Sequence, residues 1–467
     1  MKRIIILLII LVSCTLIASA THNMGGSIIY KHISNLTYEI TVFTYTDPSS
    51  SADRPILELY WGDGSSDSIT RISQVTTGNN ILKNTYKGIH TYPSSSNYII
   101  SVTDPNRNSN ILNIPNSVNV IFYIESELII PTINDFNNSV DFLAPPIFNC
   151  KLGRPFKHSL SAYDIDGDEL SFELIPPKKE SGQSILGYVF PDSLSINIIN
   201  GEIVWNSPHL LGSYVVALKI TECRNGVKVG SVIVDIQINV VLNSFPAAQF
   251  QELSAWQIDT NNNYSVKITP NDSIQLNLAY YDGFTSTIDI EAYGEAFIGS
   301  NNGTFQIDSL SNGYSRKIFK WNPDATNIRC SPYIITFRGS VNQTSTEFNK
   351  DLTLMVYVHD QSMTNCDSTC NTLLISVRDQ VDIENDNILF YPNPFNSQTK
   401  IIISNFNETN YNRLTIYNLW GEKVNSIPIS NKNEVIITRD NLPSGIYIYH
   451  LENDLSNIAS GKLIITD

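Results

Sequence analysis

Tyr214-Val-Val-Ala-Leu-Lys-Ile220 and Ser231-Val-Ile-Val-Asp-Ile-Gln-Ile-Asn-Val240 decide the fold. Both are rich in β-branched side chains, and in the second the apolar residues alternate with Asp235, Gln237 and Asn239, the two-residue period of a strand. Glu39-Ile-Thr-Val-Phe-Thr-Tyr45 and Tyr98-Ile-Ile-Ser-Val-Thr103 read the same way, bounded by Asn, Gly, Pro, Asp and Ser. No long segment combines a sustained 3.6-residue apolar period with helix caps. Regularly spaced strands with turn clusters between them predict an all-β chain of β-sandwiches in series.

A coarse repeat supports that count. Three times a Trp-bearing strand precedes a Tyr-led strand: Trp61-Gly-Asp-Gly64 before His90-Thr-Tyr92 and Tyr98; Gly201-Glu-Ile-Val-Trp205 before Gly212-Ser-Tyr214; and Phe319-Lys-Trp321-Asn-Pro323 before Pro332-Tyr333. A Trp packed against a Tyr is a common filling for a sandwich core. The spacing exceeds a solenoid repeat, so each unit is a whole domain. A chain of 467 residues has room for three or four such domains.

Composition narrows the partners. Acidic residues outnumber basic ones 45 to 30, and the sequence pI is near 4.9. Neutralising phosphates needs clustered Lys and Arg, so a nucleic acid is excluded as partner and an anionic membrane surface is disfavoured. Lys2 and Arg3, the aliphatic run Ile4 to Val12, and Ala18-Ser19-Ala20 make residues 1–20 a cleavable export signal. Ser13, Cys14 and Thr15 interrupt that run, so no integral membrane span is expected. Loss of the signal takes the formal charge from −15 to −17. Leu11-Val12-Ser13-Cys14 also has the shape of a lipobox, which would instead leave a lipoprotein anchored at Cys14.

Five cysteines remain after cleavage: Cys150, Cys223, Cys330, Cys366 and Cys370. Sparse cysteines in an oxidising compartment form one or two structural disulfides, and the odd count leaves one free or paired between chains. A bridge from Cys330 to Cys366 or Cys370 is the favoured pairing. The C-x3-C spacing does not match a zinc ribbon.

Trp61-Gly-Asp-Gly64, His90-Thr-Tyr92-Pro93 and the strand Tyr98 to Asp104 resemble a PKD domain, an immunoglobulin-like sandwich of extracellular proteins. The stretch from Thr21 to about Val241 is similar to the N-terminal region of Bacteroidota surface proteins associated with gliding motility. Ser27 to Tyr30, Tyr38 to Thr44, Asp104-Pro-Asn-Arg107 and Ala162-Tyr-Asp-Ile-Asp-Gly-Asp-Glu-Leu170 carry that likeness. The C-terminal segment resembles the type A sorting domain of the type IX secretion system. Its motifs are Phe390-Tyr391-Pro392-Asn393-Pro394-Phe395, Leu414-Thr-Ile-Tyr417-Asn-Leu-Trp-Gly421, Asn441-Leu-Pro-Ser-Gly445-Ile-Tyr447 and Ser460-Gly-Lys462-Leu-Ile-Ile-Thr466. The resemblance implies passage through the outer membrane on that machinery, removal of the domain, and release or attachment to surface polysaccharide. Gly421 and Gly445 fit hairpin turns with positive φ.

The expected layout is a signal peptide at 1–20, a PKD-like sandwich at 21–145, a cadherin-like or Ig-like sandwich at 146–243 and an Ig-like sandwich at 244–378. An exposed linker follows at 379–386, and the sorting domain occupies 387–467. Asp164, Asp166 and Asp168 place three carboxylates within five residues, a pattern that could coordinate calcium and is similar to the calcium loops of cadherin-like domains. A tight Asp-Gly turn held by Asx hydrogen bonds explains the same residues. Glu169 and Glu222 are candidate further ligands. Trp61 is expected in the core and Gly62-Asp63-Gly64 in a turn, which leaves Asp63 and His90 without a catalytic role. Tyr280-Tyr281-Asp282-Gly283-Phe284 offers aromatics for sugar stacking or for edge packing. Neither an H-E-x-x-H pair nor a G-x-S-x-G elbow occurs. The expectation is a non-catalytic, exported protein with a binding, adhesive or spacer role. A module that binds extracellular glycan, or a structural part of a motility or surface layer, is the alternative.

Overall fold

Side chains that alternate in polarity need a surface on which to bury one face, and here that surface is another sheet. A computed structural model describes residues 23–359 with short breaks, and 388–403, 413–418, 423–428, 434–452 and 457–465, also with breaks. The signal segment with Cys14, the linker 379–386, and Cys366 and Cys370 lie outside the described residues. Among the described residues every element longer than three residues is a β-strand, so the chain is all-β. It divides into two compact units, Met1–Thr372 and Leu373–Asp467.

The first unit opens with β1 (Asn23–Ser34), β2 (Thr37–Thr46), β3 (Ile56–Tyr60), β4 (Ser66–Thr77), β5 (Ile81–Thr91), β6 (Asn97–Asp104) and β7 (Phe122–Ile129). They pair in the order β1-β2-β5-β4-β3-β6-β7 around a core that includes Ile40, Leu59, Trp61, Tyr86, Ile100 and Phe122. The strand that completes this sheet comes from more than a hundred residues later. Val227–Val241 pairs antiparallel with β7 from Gly230↔Leu128 to Val232↔Ser126 and meets β1 at Gly26↔Asp235. It then runs parallel to Ile147–Lys151 from Gln237 to Val241. Its other edge forms a long hairpin with Gly212–Arg224, turned at Asn225-Gly226, both with positive φ (52° and 75°) as the preferred two-residue turn demands. The division at 145/146 therefore falls inside one continuous sheet. A buried ion pair fastens the same seam: Arg107 Nη1 and Nη2 donate to Asp235 Oδ1 and Oδ2 at 2.9 and 2.7 Å, with both side chains almost fully buried.

A second core gathers Phe156, Phe172, Ile203, Trp205, Val216, Leu218, Val234 and Ile236. The third sandwich faces two four-stranded sheets across Leu278, Ile290, Phe319, Trp321, Ile335, Phe337 and Val356. Between the second and third cores, Arg338 Nε and Nη2 donate to Asp351 at 2.8 Å each, and the Ser159 amide donates to the same carboxylate at 2.8 Å. His158 Nδ1 stands 3.1 Å from Asp351 Oδ2. Cys223 and Cys330 are each disulfide-bonded, and Cys150 is buried and free.

The repeated Trp–Tyr pairing is present in the cores. Ring centroids of Trp205 and Tyr214 lie 4.9 Å apart at 85°, and those of Trp321 and Tyr333 lie 4.9 Å apart at 66°. In the first sandwich the Trp61 ring stacks on His90 and the Tyr92 hydroxyl donates to the Trp61 carbonyl. Tyr98, Tyr214 and Tyr447 also donate to the carbonyl four residues earlier, at Ser94, Leu210 and Pro443, which pins the turn feeding each strand. Tyr214→Phe should therefore cost about 1 kcal/mol while leaving the ring packing intact. Urea unfolding of the variant measures it, and an unchanged midpoint would show that the turn is held by other contacts.

The C-terminal unit packs a three-stranded sheet and a four-stranded sheet around Leu414, Ile416, Ile437, Tyr447, Leu463 and Ile465. One expectation is corrected here. Gly445 is not a positive-φ turn residue: it opens the strand Gly445–Glu452 opposite Ile465, with open space where a Cβ would stand. The left-handed residue before that strand is Asp440 (φ 47°), whose short side chain accepts a hydrogen bond from Thr438 and so tolerates the conformation.

Candidate functional site

The acidic loop Asp164–Asp168 sits where the first sandwich meets the second. Asp164 and Asp168 are buried and Asp166 is exposed. One carboxylate oxygen from each lies within 4.8 Å of the others. Asp164 Oδ1 accepts the amides of Asp166 and Asp168 at 2.9 Å each, the Asx geometry of a tight turn at Asp166-Gly167. Asp166 reaches across the seam: its two oxygens accept the amide and the side-chain nitrogen of Asn138, at 2.7 and 2.8 Å. Asn138 Oδ1 in turn accepts the His32 amide of β1.

Beneath the loop lies Glu222, fully buried on the strand Gly212–Arg224. It follows the core-facing series Tyr214, Val216, Leu218, Ile220 at the same two-residue spacing, so the strand turns a carboxyl group into an apolar core. Burial, then the neighbouring Asp164, raises the Glu222 pKa well above that of an ordinary glutamate, and burial pushes Asp164 up to about 6. Glu222 Oε2 accepts the Tyr30 hydroxyl at 3.4 Å, and Asn137 donates to that hydroxyl. Gly230 makes room for the arrangement: a Cβ there would stand 2.1 Å from the Tyr30 hydroxyl and 2.6 Å from Glu222 Oε2. Asp164 Oδ2 and Glu222 Oε1 are buried with no donor from the rest of the chain, and the two carboxyl groups hydrogen-bond to each other when one of them is protonated.

A cation of the chain already faces this group. Arg224 Nε and Nη2 donate to the two oxygens of Asp168 at 2.7 Å each, Nη1 to Asp135 at 2.6 Å, and Nη2 to Asn137 Oδ1 at 3.1 Å. Two charged residues at one strand end, Glu222 and Arg224, therefore have opposite tasks, one facing the core and one the acidic loop. Sequence reasoning missed Arg224, Tyr30, Asn137 and Gly230. The in-phase carboxylate of Glu222 was the available signal for a polar pocket, but the Tyr30 hydroxyl that bonds to it comes from 192 positions earlier.

The other candidates resolve differently. His90 Nε2 lies 2.8 Å from Asp63 Oδ2, with the His90 ring stacked on Trp61 at 4.6 Å, so the pair braces a core residue. Hydrogen bonds from Ser65 and His90 outweigh burial and hold the Asp63 carboxyl down at about 2. Gly62 and Gly64 both take positive φ in the turn between them. Tyr280 is not part of an exposed platform: it is 2% exposed, packs on Phe250 and lies where any Cβ at Gly339 would strike it. The strand's pleat turns Tyr280 inward and leaves Tyr281 half-exposed; Phe284 lies outside the described residues. Of the sorting motifs, Pro392, Asn393, Pro394 and Gly421 lie outside the described residues. Phe395 and Tyr447 are core residues, and Lys462 pairs with Ile448 on the last strand.

Residues 389–466 match the family described as the secretion system C-terminal sorting domain. No curated protein matches the chain. Among solved structures the chain is similar to an endo-fucoidan hydrolase of glycoside hydrolase family 107, at 13% identity over 71% of this chain and 44% of that one, with a TM-score of 0.17. It thus spans less than half the length of that hydrolase. A tandem of titin immunoglobulin domains matches at 8% identity over 47% of this chain and 97% of that one, TM-score 0.16. The BSP domain of a biofilm associated protein matches at 10% identity over 96% and 82%, TM-score 0.16. The sorting domain makes this a chain exported to the cell surface or the extracellular space through interaction with the secretion machinery.

Proposed function

We propose that the chain is a non-catalytic surface or secreted protein whose first unit is the delivered product and whose C-terminal unit is its export tag. The observation that carries this reading is the sorting-domain match confined to residues 389–466, within a compact unit of its own. The first unit suits a spacer or adhesive role because its first two cores share a sheet and the buried ion pair Arg107–Asp235, and Ser159 of the second sandwich donates to Asp351 of the third. Such seams keep loops at the sandwich ends in fixed positions for binding. A PKD-like first sandwich and a place among gliding-motility-associated surface proteins belong to the same reading. Mass spectrometry of the fractionated product tests it. The expected mature form starts at Thr21 and lacks the chain beyond about residue 385 in the linker segment. A product that keeps its C-terminus, or starts at a lipidated Cys14, overturns it.

A second reading concerns calcium at the acidic loop, and the adjacent buried carboxyl groups of Asp164 and Glu222, which receive no donor from the rest of the chain at Oδ2 and Oε1, favour it. A hard cation bound there would be held by those atoms together with Asp166 and Asp168, and would supply the positive charge that two adjacent buried carboxyls lack. Arg224 already compensates Asp168, so an affinity at the weak, millimolar end known for extracellular modules is expected. Thermal unfolding in EDTA and in calcium should differ, by about 0.4 kcal/mol when calcium equals Kd and by about 2.7 kcal/mol only at a hundredfold excess. Asp164→Asn should abolish the difference. Equal midpoints with and without calcium would leave the loop as a hydrogen-bonded turn braced by Arg224.

A further inference from the structure

A group of exposed apolar side chains lies away from the acidic loop, on three segments that converge beside the seam of the first two sandwiches. Leu112 belongs to the first segment, Leu186, Val189 and Phe190 to the second, and Leu210 and Leu211 to the third; Leu186 is 93% exposed. The segments touch. The Leu112 amide donates to the Ser213 carbonyl at 2.8 Å, the Val189 amide to the Asn113 carbonyl at 3.3 Å, and a Cβ on Gly187 would stand 3.1 Å from the Pro115 ring. They are also held in place from below. Ile111, Ile114, Ile185 and Val215 form a small buried core, Asn113 exchanges two hydrogen bonds with the Val215 backbone, and the Tyr188 hydroxyl donates to Val215 as well. The apolar surface is therefore built on fixed loops, and covering it costs little further ordering.

Charge decides what can cover it. The formal charge of the chain is −15, so two copies repel over most approaches. Residues 108–119 carry no charged side chain, residues 183–193 carry only Asp192, and residues 206–213 carry only the titratable His209. The six side chains are each 39–93% exposed, and an apolar patch of a few hundred Å² is the size at which a monomer's surface becomes an interaction site. The Asn and Ser residues of the same segments supply an uncharged rim.

We propose that this patch is the contact through which two copies of the chain pair, patch on patch about a twofold axis. A self-complementary contact needs no opposite charges, and an uncharged apolar surface is where two polyanionic copies approach at least cost. Pairing is accordingly strengthened by salt, which screens the repulsion between the remaining surfaces.

Sedimentation equilibrium of the full chain over the micromolar range, at low and high sodium chloride, tests the proposal. The expected result is a monomer–dimer equilibrium that shifts toward dimer with salt. Leu186→Ser and Leu211→Ser should each weaken pairing about tenfold or more, as loss of a buried leucine implies. Ile307→Ser, at an exposed apolar site in the third sandwich, is the control that leaves it unchanged. A chain that stays monomeric at high concentration and high salt overturns the proposal, as does a dimer indifferent to both leucine variants. Binding of a monomeric chain to neutral phosphatidylcholine vesicles, lost in Leu186→Ser, would also overturn it and assign the patch to a lipid surface.

Discussion

A fragment ending at residue 145 is expected to remain unfolded, whereas one ending at residue 243 folds cooperatively. The shorter fragment contains all seven strands of the first sandwich and every residue of its core. It lacks Val227–Val241, the strand that pairs with both β7 and β1. Two losses then coincide. The backbone groups of β7 that faced Gly230 to Val232 have no ladder, and the Arg107 guanidinium loses the carboxylate that fixed it. An unpaired sheet edge and the surface it leaves open to water are set against a total stability of only about 5–15 kcal/mol for a domain. Amide dispersion in a heteronuclear NMR spectrum distinguishes the two fragments. Well-dispersed resonances and a sharp thermal transition in the shorter one would show that the first sandwich stands without its borrowed strand.

Arg338→Met should destabilise the first unit by about 3–5 kcal/mol, because it strands Asp351 in a site closed to water. Burial by itself would raise the Asp351 carboxyl; the Arg338 guanidinium and then His158 outweigh it and hold that carboxyl well below the usual range. The native pair thus contributes stability that is present above the unfolded aspartate value near 4 and is lost only as pH falls toward the depressed folded value. In the variant only His158 still opposes burial at Asp351, so less stability remains to be lost on acidification. The deficit between the two proteins is therefore largest near neutral pH and shrinks as pH drops below about 4. A second substitution, Asp351→Leu, should recover most of the loss by replacing the stranded charge with an apolar side chain of similar size. Guanidinium unfolding of the single and double variants at several pH values measures all three effects. A single variant as stable as the native chain would mean that water reaches Asp351.

The strands themselves were legible because their information is local. Alternation in Ser231 to Val240 and the Trp–Tyr order around Trp205 and Trp321 depend only on neighbours along the chain, and the structure places those residues in strands and cores as expected. The seams were not legible. Asp235 reads as an outward-facing residue of an alternating strand, and its side chain does face away from the second core; what meets it there is Arg107, 128 residues earlier. Nothing in the local pattern separates a polar face that meets solvent from one that meets another polar face.

The acidic loop divides along the same line. Its three aspartates stand at a spacing that brings their carboxylates together wherever the chain turns tightly, so the sequence by itself determined the cluster, together with the all-β architecture and the C-terminal sorting domain. Tertiary structure decided what the cluster faces. Arg224 and Glu222, Asn138, and Tyr30 arrive from three other segments, and their meeting depends on the register of Val227–Val241 against four different partners. Register is a property of pairs of strands, and hydrogen bonds, burial and charge compensation across such pairs are settled only when the chain has closed on itself.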